Sequence, residues 1–398
     1  MSDPAASDPV VIASYARTPM GGMQGVFSEV AAPLLGAEAV RAAVERAGIT
    51  GAEVDQIIMG CVLPAGQGQA PGRQAAIHAG LGEHVTATTI NKMCGSGMQA
   101  AMMAHDTLLA GSAEVIVAGG MESMTNAPYL LPKHRGGARL GHDVVKDSMF
   151  LDGLEDAYNP GRLMGTFAEE AAQEYQFTRE FQDEYAIRSL TLARQAGENG
   201  AFAREIAPVT VQGRKGETVV DTDEQPAKAN PDKIPTLRPA FAKDGTVTAA
   251  NSSSISDGAA ALVMCRASTA EKLGMTPVAR VVGHASHAHE PARFTTAPVF
   301  ATRKLMAKIG WTMDDVDLFE VNEAFAVVAL IAERDLGIPR DKLNVNGGAC
   351  ALGHPIGASG TRILATLLGA LETRDLKRGV ASICIGGGEA TAIALERI

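Results

Sequence analysis

Four short stretches of this chain carry residue types that can make and break covalent bonds. In INKMCGSGMQAAMMAHDTLL, Cys94 follows a strand-like entry and precedes Gly95, Ser96 and Gly97 at the start of an alanine- and methionine-rich helix. Unpaired N–H groups and the helix dipole at such a turn favour the thiolate, so the spacing predicts a lowered Cys94 pKa and a nucleophile. In NVNGGACALGHPIGASGTRIL, His354 stands between Gly353 and Pro355, a fixed turn that can hold an imidazole for acid–base work. In ASICIGGGEA, Cys384 lies within what reads as the last strand, and the chain then turns through Gly386, Gly387 and Gly388. Glycines directly after a strand let backbone N–H groups converge on a ligand oxygen, the geometry of an oxyanion hole. In EVNEAFAVVAL, Asn322 and Glu323 sit at a strand-to-helix junction, where helix capping and a role in a site are both open.

Each stretch has a plainer alternative. Most free cysteines are small buried hydrophobes. Gly95, Gly97 and Ala100 also spell GxGxxA, a dinucleotide fingerprint, but the next strand-like run, VIVA, ends in Gly119-Gly120 rather than an acidic residue. His284, His287 and His289 in GHASHAHE have the look of a metal site, yet no cysteine or carboxylate ligand pattern accompanies them and no metal is expected. Cys350, beside the His354 turn, reads as packing.

The elements that must position these residues occur twice. Gly48 is followed seven residues later by Asp55, and Gly310 seven later by Asp317. Asp55 to Gly97 is 42 residues and Asp317 to Gly360 is 43; VIVAGGMES (115–123) then lines up with SICIGGGEA (382–390), which sets Val117 against Cys384. Four extra residues of the second copy fall in the turn around 374–378. Each unit reads as helix, turn, short buried strand, glycine-led helix and a second buried strand ending in Gly-Gly. Strands alternating with helices predict a largely parallel sheet covered on both faces.

Between the copies lies 125–250, where charged residues reach about 27% against 20% for the whole chain. It holds a predicted helix from Thr178 to near Gly200 and a Pro- and Asp-rich loop from Asp221 to Pro239. Long insertions in α/β proteins are usually lids or binding loops, so this one is expected to cover something.

Composition narrows the field. The chain has 398 residues, 46% of them hydrophobic, with a mean hydropathy of +0.05, enough for a large core. A net charge of −10 and a pI near 5.4 argue against a general grip on nucleic acid or an anionic membrane. The longest apolar run, Ala324 to Ala332, is far too short to span a bilayer, and MSDPAASDPVV lacks the basic start and apolar stretch of a secretory signal. A cytoplasmic protein with five free thiols is expected.

These segments, together with ARTP at Ala16 to Pro19, GGMESM from Gly119, GTVTAANSSSISDGAAA from Gly245 and NEAF from Asn322, resemble the thiolase family over essentially the whole chain. The resemblance implies the α/β thiolase fold: two duplicated βαβ-type halves packed as alternating α-β-α-β-α layers with an inserted loop domain. Residues 1–124, with 251–277 returning to them, would form the first half, 125–250 the insert and 278–398 the second half. It also implies an acyltransferase acting through an acyl-cysteine. The reaction would be reversible Claisen condensation of two acetyl-CoA to acetoacetyl-CoA and CoA, or thiolytic cleavage of 3-ketoacyl-CoA.

Carried over position by position, the resemblance makes Cys94 the nucleophile. His354 would activate it and, with Asn322 acting through water, hold the enolate oxygen. Cys384 would be the acid/base, and the N–H groups of Cys94 and Gly386 a second oxyanion hole. Ser253 would contact the pantetheine arm and Met164 would line the acyl pocket. No cofactor beyond the CoA thioester substrates is implied, and the partner is a second copy of the chain, as homodimer or homotetramer. One position departs: Leu163 stands where the family commonly has histidine in His-Met-Gly, which bears on acyl length. The rivals are a decarboxylating ketoacyl synthase of related fold, against which Cys384 argues because loss of CO2 needs no thiol base, and a non-catalytic acyl-CoA- or lipid-binding relative.

Overall fold

A computed structural model describes residues 8–213 and 216–398; most of the opening stretch read for a secretory signal lies outside the described residues. The first half runs β1 (Val10–Arg17), α1 (Ala32–Arg46), β2 (Gln56–Gly60), α2 (Pro71–His78), β3 (Thr86–Ile90), α3 (Ser96–Leu109) and β4 (Val115–Ser123). The insertion carries α4 (Met164–Glu174) and α5 (Arg179–Glu198), after which β5 (Ser256–Arg266) returns to pair with both β1 and β4. The second half runs β6 (Ala279–Ala288), α6 (Ala297–Ile309), β7 (Leu318–Val321), α7 (Ala326–Leu336), α8 (Ser359–Thr373), β8 (Arg378–Ile385) and β9 (Glu389–Arg397). Cys384 is therefore in the next-to-last strand, not the last, because the glycines after it make a hairpin into β9.

The strands form one ten-stranded sheet in the order β7-β8-β9-β6-β1-β5-β4-β2-β3, with Gly21–Gly22 pairing beside β5. It is mixed rather than largely parallel. Only β2–β3, β2–β4 and β7–β8 run parallel, while β5 and β9 pair antiparallel with both of their neighbours. The two half-sheets touch through β1 and β6 over just two residue pairs, Val11 with Arg280 and Ile12 with Ala279.

Side-chain alternation along the strands sorts the core into layers. Val115 and Val117 face an outer cluster with α1 and α2, whereas Ile116 and Ala118 face an inner cluster built on α3 and α8. In the second half Ala381 and Ile383 face the same inner cluster, and Val380 and Cys384 face the outer one with α6 and α7. The result is helix, sheet, helix, sheet, helix. Strands buried on both faces explain the near-continuous apolar runs in the sequence.

The central helices meet through the two glycines that anchor the repeat. A Cβ on Gly97 would lie 2.8 Å from the Thr361 nitrogen, and one on Gly360 would overlap the Met98 nitrogen. Each glycine makes room for the residue following the other, a reciprocal contact that no larger residue permits. In the insertion, α5 begins one residue after Thr178, whose hydroxyl caps Phe181 N at 3.2 Å. The 221–239 stretch is not a plain loop: it folds into helical turns at Glu224–Lys228 and Pro231–Thr236.

Candidate active site

The ends of β8, the loop before α3 and the loop before α8 converge under the insertion on a cavity of about 360 Å³. Cys94, His354, Cys384, Gly386, Ser253, Met164 and Leu163 all line it. Its remaining walls are mainly apolar, with Phe150, Leu154 and Phe241 from the insertion and Phe294, Phe325 and Ile356 from the second half. Asn322 is buried behind this lining, on the residue after β7.

The Cys94 loop is held locally. Lys92 N donates to Ser96 Oγ at 2.8 Å, Ser96 Oγ donates to Met93 O at 2.6 Å, and Met93 takes a positive φ of 46°. The N–H of Gly386 points at the Cys94 sulfur and favours its thiolate, but burial outweighs it and pushes the thiol up to about 11. This reverses the lowered pKa expected from the helix start. Helix α3 begins two residues beyond the sulfur, and the dipole effect is confined to the first turn and is small beside desolvation in an apolar cavity. Cys384 is pushed up for the same reason, burial first and the nearby Cys94 second.

His354 has one nitrogen committed and one free. Ser359 Oγ donates to Pro355 O at 2.9 Å, so it accepts from His354 Nδ1–H at 2.6 Å. That leaves Nε2 as the bare nitrogen, without a hydrogen-bond partner among the described residues. Burial, reinforced by the Arg362 charge, pulls the imidazole down to about 3. The resting site is thus made of neutral groups, two thiols and an imidazole with its lone pair open.

Asn322 is aimed by its neighbour. Arg362 donates to Asn322 Oδ1 at 3.3 Å, which leaves Nδ2 buried without a partner among the described residues. Arg362 itself lies 3.8 Å from Glu320, whose carboxyl burial raises to about 8. Glu323 points the other way, and its carboxylate accepts from Tyr185 Oη (2.9 Å) and Ser189 Oγ (2.8 Å) of α5 and from Asn344 Nδ2 (2.9 Å) and Cys350 N (3.0 Å). It ties the insertion to the loop bearing His354. Neither Asn322 nor Glu323 caps α7, which starts at Ala326 with no side-chain cap.

The structure adds residues that the sequence motifs do not reveal. Ser359 sets the His354 tautomer, Arg362 orients Asn322, and Glu122 accepts from the N–H groups of Val62 (2.9 Å), Leu63 (3.2 Å) and Gly357 (2.9 Å). For two of them the signal is a charge inside a largely apolar run, Glu122 near the end of VIVAGGMES and Arg362 in SGTRILATLL; Ser359 has none. The histidines of GHASHAHE do not act as a group. His287 and His289 pack on Phe300, while His284 faces away toward α3.

Comparison with known proteins bears on all of this. The chain is 49% identical over 98% of its length to an acetyl-CoA acetyltransferase of Cupriavidus necator, covering 99% of that protein. It is 50% identical to acetyl-CoA acetyltransferase 2 of Arabidopsis thaliana over 97% of this chain and 96% of the relative. The crystal structure of the Bacillus anthracis acetyl-CoA acetyltransferase superposes with a TM-score of 0.95 at 41% identity, covering 98% of this chain and 99% of that one. The thiolase N-terminal domain matches residues 10–268 and the thiolase C-terminal domain residues 275–397, so this chain, with its paired cysteines around one imidazole, belongs to the thiolase family of acyltransferases.

Proposed function

We propose that this thiolase condenses two acetyl-CoA molecules to acetoacetyl-CoA and CoA, reversibly. The observation that carries the reading is a single apolar cavity holding two thiols, an unpartnered imidazole nitrogen and the Gly386 N–H. Cys94 gives its proton to His354 Nε2 and attacks the first thioester carbonyl. The resulting oxyanion lies against the N–H groups of Cys94 and Gly386, and as it collapses the Cys384 thiol gives its proton to the departing CoA sulfur. The Cys384 thiolate left by that transfer removes a proton from the methyl of the second acetyl-CoA. His354, now carrying hydrogen at Nε2, and Asn322 Nδ2 acting through a bridging water hold the enolate oxygen while its carbon attacks the acetyl carbonyl; the Cys94–acetyl bond then breaks and the Cys94 sulfur takes its proton back from His354.

A short acyl group suits the pocket. Met164 sulfur lies 3.5 Å from where a Cβ on Gly386 would be, and Leu163 adds bulk without a polar contact. Ser253, whose hydroxyl donates to Ala324 O at 3.0 Å, faces the cavity where a pantetheine arm would enter. The reading extends to a cytoplasmic homo-oligomer, supported by the acidic charge and by the edge strand β3, whose outer face is exposed. A decarboxylating synthase would leave Cys384 without work. The test is incubation with acetyl-CoA alone: acetoacetyl-CoA should form without any malonyl thioester, and a need for malonyl thioester would overturn the assignment.

A further inference from the structure

The far end of α3, away from Cys94, meets β6 of the second half at a triangle of donor atoms. His284 Nε2 lies 2.9 Å from Asp106 Oδ1 and 3.2 Å from His105 Nδ1, and His105 Nδ1 lies 3.0 Å from Asp106 Oδ1. Donors about 2.0–2.1 Å from one metal ion stand about 3.0 Å apart in octahedral cis positions and about 3.4 Å apart in tetrahedral ones. The three separations fall within or just below this range, and the two imidazole rings cross edge to face at 4.9 Å. The ligand set draws on two elements and both halves of the chain, so the fold rather than local sequence assembles it.

We propose that His105, Asp106 and His284 form a binding site for a divalent transition-metal ion of the zinc class, at the seam between the halves and separate from the catalytic cavity. The carboxylate that joins His284 is Asp106, supplied from α3. Two imidazoles and one carboxylate suit Zn2+, Co2+ or Ni2+ over Mg2+ or Ca2+, which prefer all-oxygen shells. The histidine side chains are only 13% and 11% exposed while Asp106 is 64% exposed, so the protein covers one side of the ion and leaves the other to water. Lys308, whose amine donates to His284 O at 3.1 Å, is the nearby cation; the Asp106 charge offsets it. A bound ion would cross-link α3 to β6 where the half-sheets otherwise share only two residue pairs.

Co2+ titration of the full-length protein, followed by visible absorption and by metal content after gel filtration, tests the site. One Co2+ per chain is expected, with nitrogen and oxygen d–d bands and no near-ultraviolet thiolate charge transfer. Zn2+ should displace it and raise the unfolding temperature. His105→Ala and His284→Ala should each abolish binding, Asp106→Asn should weaken it about tenfold or more, and all three should keep acetyl transfer. The absence of Co2+ uptake by the wild type would overturn the proposal. So would thiolate charge transfer, which places the ion on the cysteines, or binding that survives in the His105→Ala/His284→Ala double variant.

Discussion

Asp55 in the first half and Asp317 in the second hold the same turn with the same bonds. Asp55 Oδ2 accepts from Glu114 N and Val115 N at 2.7 and 3.0 Å, and Asp317 Oδ2 from Lys377 N and Arg378 N at 2.9 and 2.8 Å. Thr50 with Glu53 and Thr312 with Asp315 form matching capping boxes just upstream. At the other end of the strands the halves part. Gly60 and Gly120 of the first half are packed against the Gly357 carbonyl, with no space for a side chain. The equivalent positions of the second half are Asn322 and Gly387, and Cys384 replaces Val117. One set of strand ends is plugged by backbone from its twin, and the other opens to the cavity.

The difference comes from where each copy keeps its spare chain. From Ile57 to its β3 partner Ala87 is 30 residues, but from the equivalent Phe319 to its bridge partner Leu343 is only 24. From Ala87 to Gly97 is 10 residues, and from Leu343 to Gly360 is 17. Near-equal totals hide a transfer of length from before the strand to after it, and that longer second loop carries His354 and the Gly357 plug. The anchoring is reciprocal as well. Glu122 of the first half holds Gly357 in the His354 loop, while its equivalent, Glu389, pairs with Lys92 in the Cys94 loop.

The sharpest break in the comparison is at the thiols. Cys94→Ser should lower turnover by about 10³-fold or more and lose the acetyl adduct that mass spectrometry finds on Cys94 after acetyl-CoA exposure. Cys384→Ala should keep that adduct while condensation falls about 10²–10⁴-fold, the range of a positioned proton acceptor; equal loss of loading and condensation would merge the two roles. Asn322→Ala, which removes the amide from the position its twin fills with Gly60, should cut condensation about 10²–10³-fold with loading preserved, as read by single-turnover kinetics.

Smaller effects compare the paired glutamates and aspartates. Glu122→Gln should lower stability by about 1–3 kcal/mol in urea unfolding, because an amide cannot accept from all three N–H groups. Glu389→Gln, at a partly exposed pair, should cost under about 1 kcal/mol. Burial raises the Glu122 carboxyl from 4.5 to about 7. Its contribution is therefore fully present below pH 4.5 and lost as pH rises through 7. The wild-type urea midpoint should carry a downward component between pH 5 and 8 that Glu122→Gln removes; an unchanged pH slope would mean Glu122 is ionised throughout. Asp55→Ala and Asp317→Ala should each cost about 1 kcal/mol, and a large inequality between them would break the equivalence of the halves.

Much of this was legible in the chain itself. The duplication and the buried strands could be read because glycines and β-branched runs recur at fixed spacing, and spacing survives folding; that Cys94, His354 and Cys384 share one site was implied by the thiolase resemblance, not by spacing. Periodicity carries no sign for strand direction, so the antiparallel returns of β5 and β9 were beyond its reach. Local sequence also overstated the helix start at Cys94, because a thiol's acidity follows from how much water surrounds it. That is decided by the insertion closing over the cavity from 50 or more residues away. The Asn322 amide, pointed by Arg362, and the His354 tautomer, set by Ser359, rest on contacts between elements that only the packed helices bring together.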